Sequence, residues 1–316
     1  MNTLIDGLRI ISYSKNITGD IWEAHFGVAA IAAYFFIKEN SLSSGTANRI
    51  QFQVEEMLGE KSFANLSYPT SKIHREQAET LILESLSSVI DELHWIGHNV
   101  IYAALSLQAI RELNGWGTES EIQDICALIE SFKRTIPGRS WLGYTASEVK
   151  RVMINESDEF PVIRNAQQLS LLVLNELASF RTIYKAEAHH DLIGHMLTFS
   201  HALNILFDLG YISYFERGIS PLLKLVKVLR ATHDLEPEAV MKLNSPVDHL
   251  PLAQATRSEW LSLEEEYWRV DYKHSDWDFG HVFKFPYSFY NHLSRAGVAM
   301  THAVENFRYI IYSELE

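Results

Sequence analysis

The stretch that decides the fold is His25-Phe26-Gly27-Val28-Ala29-Ala30-Ile31-Ala32-Ala33-Tyr34-Phe35-Phe36-Ile37. From Phe26 onward it is apolar around the whole circumference of a helix, and such a helix is buried on every side. Three other stretches repeat this character: NVIYAALSLQAI (99–110), MLTFSHALNILF (196–207) and VFKFPYSFY (282–290), each led by a histidine, His98, His195 or His281. In all four the histidine follows a small residue, in Trp22-Glu23-Ala24-His25, Trp95-Ile96-Gly97-His98, Leu192-Ile193-Gly194-His195 and Asp278-Phe279-Gly280-His281. A loop and a second, more amphipathic helix follow each one (48–58, 119–132, 220–229 and 300–313). The spacing between histidines is unequal, which excludes a strict solenoid. The expected architecture is all-α: a single domain, residues 1–316, of four helix pairs packed as a helical bundle or α/α array around a central metal-binding pocket.

Outside the pairs, segments 72–93, 161–185, 221–231 and 255–271 carry apolar residues at three- and four-residue spacing and are expected as helices. Strand signals are nearly absent. The one long irregular stretch is 136–160, a candidate lid loop. A second break, 232–252, carries Pro237, Pro246 and Pro251. Neither resembles a flexible linker.

Composition narrows the function. With 27 basic and 40 acidic side chains the net charge is −13, which speaks against nucleic acid or an anionic membrane as partner. The longest apolar run, 26–37, falls short of the ~20 residues needed to span a bilayer. The N-terminus lacks the basic segment of a signal peptide. The expectation is a soluble cytoplasmic protein, with no oligomeric state implied. A single cysteine, Cys126, beside 14 histidines excludes disulfide frameworks and thiolate zinc modules. Any metal would sit among nitrogen and oxygen donors.

One histidine on an apolar helix is ordinarily a core residue satisfied by one hydrogen bond. Four in register are costly to bury unless each finds a partner, and a divalent cation satisfies all of them together. A chance alignment or a hydrogen-bonded cluster is the competing reading. Lys284 stands three residues after His281 on the same helical face. It could snorkel to water, stay neutral, or react with CO2 to give a carbamate, an anionic ligand that would balance a cation's charge. Glu23, Glu187 and Asp278 are alternative carboxylates. His189, His190 and Asp191 read as a solvated helix entrance, and His201 as lining the pocket. His201 and Tyr287 are the candidates for general acid or base. Trp22, Trp95, Phe279 and Tyr287 could stack on a flat substrate. No GxGxxG, Walker, HExxH or GxSxG motif is present.

At these residues the chain resembles the questin oxidase-like family of anthraquinone and polyketide metabolism. Ala24-His25-Phe26-Gly27-Val28-Ala29 is similar to the family's Asn-His motif, with Ala24 in place of asparagine. His98-Asn99-Val100-Ile101 resembles its H-x-L-I motif. His195, Thr198, His201, Ala202 and Leu203 match H-x-x-T-x-x-H-A-L at each specified position. His281-Val282-Phe283-Lys284 resembles H-V-I-K, with Phe283 for isoleucine, and Pro286 follows where the family keeps a helix-compatible residue. The resemblance implies an oxygenase, an oxidoreductase of secondary metabolism, that uses O2 to cleave or oxidise a polycyclic aromatic or quinone-type substrate. It implies non-haem Fe(II) on His25, His98, His195 and His281 with carboxylated Lys284, and an NADPH requirement. Mn or Zn are the alternative metals. A zinc or dinuclear hydrolase and a non-catalytic binding protein for a hydrophobic ligand are the rival functions.

Overall fold

The computed structural model describes residues 2–60, 72–236 and 242–311; Pro237 and the last residues of the expected 300–313 helix lie outside them. The described chain is all-α, with twelve α-helices and one two-stranded sheet. It divides into two compact units, each assembled from three stretches of chain.

The first unit comprises Met1–Val89, Asn99–Lys133 and Trp260–Tyr287. It holds α1 (Asn2–Asn16), α2 (Ala24–Glu39), α3 (Ser44–Glu60), α4 (Arg75–Ser87), most of α5 (His98–Glu112) and α6 (Glu119–Glu130). As its all-round apolarity requires, α2 is buried along nearly its whole length. It packs on α1 and α3, while α6 packs on α1 and α4. The α1 helix was not anticipated; its contact with α2 is a crossing of two glycines. A Cβ on Gly7 would lie 2.7 Å from the Gly27 carbonyl oxygen, so the backbones touch where side chains would hold them apart. Ile21–Glu39 is, by length and composition, long and apolar enough to cross a membrane, a longer segment than the 26–37 run suggests. In the fold that apolar surface is covered by protein.

The second unit comprises Ile90–His98, Arg134–Glu259 and Ser288–Glu316. It holds α7 (Ala146–Arg151), α8 (Ala166–Ser179), α9 (Leu192–Asp208), α10 (Ile212–Arg230), the end of α11 (His281–Ala296) and α12 (Thr301–Phe307). The helix α9 is buried from Leu192 to Leu206 and packs on α8 and α10. The Asn165 side chain caps α8 by accepting from the Gln168 N–H. Both α5 and α11 belong to two units: His98 is the first residue of α5 and falls in the second unit, and α11 starts in the first unit with His281.

Two expectations are corrected. The stretch 136–160 is not irregular throughout. β1 (Trp141–Leu142) pairs antiparallel with β2 (Leu243–Asn244), α7 follows with a Thr145/Glu148 capping box, and Trp141 is fully buried. Residues 255–271 do not form an α-helix; they contain one 3-10 turn, Glu265–Arg269. The Trp268 indole donates to the Ser262 carbonyl at 2.7 Å and the Tyr272 hydroxyl to the Tyr267 carbonyl at 3.0 Å. Aromatic side chains thus satisfy carbonyls that a helix would have paired along its backbone. Pro286 lies inside α11, which continues past it to Ala296.

Candidate metal centre

Each of the four histidines stands at or near a helix start, and each is buried. His98 and His281 are the first residues of α5 and α11, His25 is the second of α2, and His195 the fourth of α9. What precedes them is unusual. Trp95, Ile96 and Gly97 have φ of 40°, 51° and 97°, and Asp276, Trp277, Asp278 and Phe279 lie at 48–50° before Gly280 at 74°. A left-handed backbone costs roughly 1–2 kcal/mol for each residue bearing a Cβ. The chain reverses hand just before His98 and His281, which are themselves right-handed. The glycine before each is therefore required by backbone conformation. Before His195 the chain makes a π-helical turn instead, Glu187–Asp191, a form often found at functional sites.

These turns place an oxygen beside each Nδ1. His25 Nδ1 lies 2.9 Å from the Trp22 carbonyl oxygen, and His98 Nδ1 is hydrogen-bonded to the Trp95 carbonyl. His195 Nδ1 lies 2.8 Å from the Asp191 carbonyl oxygen and 3.4 Å from the Asp191 carboxylate. His281 Nδ1 lies 3.3 Å from the Asp278 carboxylate. A carbonyl only accepts, so the proton of His25, His98 and His195 sits on Nδ1, and Nε2 keeps the lone pair with which imidazole binds metals. A hydrogen bond from the second ring nitrogen to a carbonyl or carboxylate is the usual support of a metal-bound histidine.

In the second unit, His98 and His195 have ring centroids 4.9 Å apart, and Asp191 flanks His195. A buried His/Asp group that includes His195 could hold a metal ion. In the first unit, His25 and His281 have centroids 5.9 Å apart, and the Tyr102 hydroxyl lies 2.7 Å from His25 Nδ1. Burial pushes the Tyr102 phenol well above its ordinary value, so it stays protonated. Trp22 and Phe279 flank His25 at 5.5 and 6.2 Å between centroids, and Phe279 is half exposed. Lys284 is buried one helical turn beyond His281, so it does not reach water by snorkelling.

Other candidates lie elsewhere. The Tyr287 hydroxyl accepts from Gln108 at 2.8 Å and donates to Glu39 at 3.2 Å. Glu39 ends α2, about 20 Å along the helix from His25 at 1.5 Å per residue. The structure does not bring Tyr287 to His25. His201 Nδ1 bonds to the Ser288 hydroxyl at 3.1 Å and its ring faces His292. Glu187 is held by Arg139 and Ser140. Asp191 and Tyr102 were missed as parts of the site; the one signal for Asp191 was its position four residues before His195, on the same helical face.

The buried imidazoles of the second unit set a pH dependence. Burial lowers His292 from 6.5 to about 4 and holds His201 well below 6.5, leaving both neutral. His292 Nε2 donates to the Leu197 carbonyl, while Nδ1 accepts from Ser170. Below pH 6.5 the unfolded chain takes up protons that the folded one refuses. Stability is therefore full above 6.5 and falls as pH drops toward 4, by ~1.4 kcal/mol per pH unit for each histidine. Urea unfolding between pH 7 and 4.5 will show this slope, and His292→Gln will flatten it; an equal slope in that variant counts against the assignment.

Compared with family models, curated proteins and solved structures, the chain matches none.

Proposed function

We propose that the chain binds a transition metal, iron in its working form, through His25, His98, His195 and His281, and is an oxygenase acting with O2 on a polycyclic aromatic or quinone-type substrate. The observation that carries the reading is the shared arrangement of four histidines, each with an oxygen set against Nδ1 from three or four residues upstream. The donor set is nitrogen and oxygen without thiolate, which suits iron, manganese or zinc. Iron so held supplies a redox couple and a position for O2.

The chain's own residues supply the rest. Trp22 and Phe279 beside His25 offer aromatic faces to a flat ring. Asp191 brings negative charge beside His195. Lys284, buried beyond His281, adds CO2 through the amine form of Nζ with loss of a proton, and the resulting carbamate supplies a second anionic group. The four short motifs shared with questin oxidase-like proteins favour oxygenation over hydrolysis.

Metal analysis of freshly purified protein, joined to O2 uptake with 1,4-dihydroxynaphthalene, tests the reading. About one iron per chain and uptake abolished by a chelator are expected. A 13C carbamate signal from labelled bicarbonate is expected in the wild type and absent in Lys284→Met. A protein carrying no transition metal, or a zinc protein that hydrolyses p-nitrophenyl acetate without consuming O2, overturns it.

A further inference from the structure

The Tyr102 ring is buried on α5, edge-on to Phe132 at 5.8 Å and edge-on to His25 at 5.7 Å, with interplanar angles of 69° and 84°. Its hydroxyl oxygen lies 2.7 Å from His25 Nδ1, on which the Trp22 carbonyl also converges at 2.9 Å. Two tautomers are conceivable. With a lone pair on Nδ1, Tyr102 would donate to it, but the carbonyl of Trp22 would face that lone pair at hydrogen-bond distance and repel it. With the proton on Nδ1, both oxygens accept from it. The second arrangement removes that repulsion, so the phenol oxygen shares the Nδ1 proton and Nε2 carries the lone pair.

From this geometry we propose that Tyr102 is a positioning residue for a metal on His25: it fixes that imidazole's tautomer and ring orientation and ties it to α5, the helix that His98 opens. The proposal rests on the metal reading above. Trp22 belongs to a short 3-10 turn, Ile21–Glu23, on the same segment of chain as His25. Tyr102 comes from a different helix of the same unit, so its hydrogen bond sets His25 against another element. As a metal draws charge from the imidazole, the Nδ1–H becomes a stronger donor and its bond to the phenol oxygen tightens. Tyr102 thereby contributes to affinity without touching the metal.

Tyr102→Phe keeps the ring against Phe132 and removes only the hydroxyl. Titration of the apo protein with Co(II) against a chromophoric chelator is expected to show affinity ~10–100-fold weaker in Tyr102→Phe, with shifted ligand-field bands. In a His25→Ala background the same substitution should change Co(II) affinity by less than about twofold, since its effect runs through His25. In wild-type protein, 15N spectra should show His25 protonated at Nδ1, a readout that needs no variant to fold. Unchanged affinity and bands in Tyr102→Phe, an undiminished loss in the His25→Ala background, or a proton on His25 Nε2 overturns the proposal and leaves the metal reading intact. A wild-type protein that binds no Co(II) removes both.

Discussion

His195→Ala is expected to abolish the proposed metal binding. In the purified variant, metal content should fall from about one per chain to the level of a chelator-treated control, with affinity lower by more than ~100-fold. The magnitude follows from comparison: removing a group that merely orients a ligand costs ~10–100-fold, and removing the ligand costs more. His195 is held by both the carbonyl and the carboxylate of Asp191, and it neighbours His98 at 4.9 Å between ring centroids. His201→Ala is the informative control. It removes an equally buried imidazole from the same helix, but one bonded to Ser288 and facing His292. It should lower stability and keep the metal. If both variants lose metal equally, the effect is damage to α9 rather than loss of a ligand.

Gly27→Val will destabilise the first unit and weaken the metal site together. A Cβ on Gly27 would overlap the Gly7 carbonyl oxygen and lie 2.8 Å from an Ile11 side-chain carbon. The obstacle is backbone, which has no rotamer to change, so α1 and α2 must separate. Overpacking commonly costs ~1–3 kcal/mol, and a backbone clash belongs at or above the upper end, about 3 kcal/mol. Because His25 lies two residues before Gly27 on α2, its Nε2 will move with the helix, and Co(II) affinity should fall in the same variant. Gly59→Ala in α3, where an added Cβ meets nothing within 4 Å, should leave both properties near wild type. A midpoint of unfolding unchanged by Gly27→Val would mean that α1 does not pack on α2 as described.

The helix pairs were legible because burial on all sides demands a continuous apolar surface, and such runs are visible in one dimension. Thus 26–37, 99–110, 196–207 and 282–290 are helical, each with its histidine at or near the start. The elements that escaped detection lack that signal. α1 is held by close approach of Gly7 and Gly27, which periodicity does not report, and β1 pairs with β2 across about a hundred residues of chain. Residues 255–271 have helical spacing, yet Trp268 and Tyr272 take up backbone carbonyls through their polar ends.

The sequence by itself determined the fold class, the four histidines, and the exclusion of thiolate chemistry, because apolar periodicity and residue type are local properties. Only the tertiary structure decided which nitrogen of His25, His98 and His195 carries its proton, that Asp191 stands beside His195 and Tyr102 beside His25 while Tyr287 bonds at the far end of α2, and that the chain reverses hand before His98 and His281. Those outcomes depend on oxygens and dihedral angles that neighbouring elements fix, and no spacing of letters along the chain encodes them.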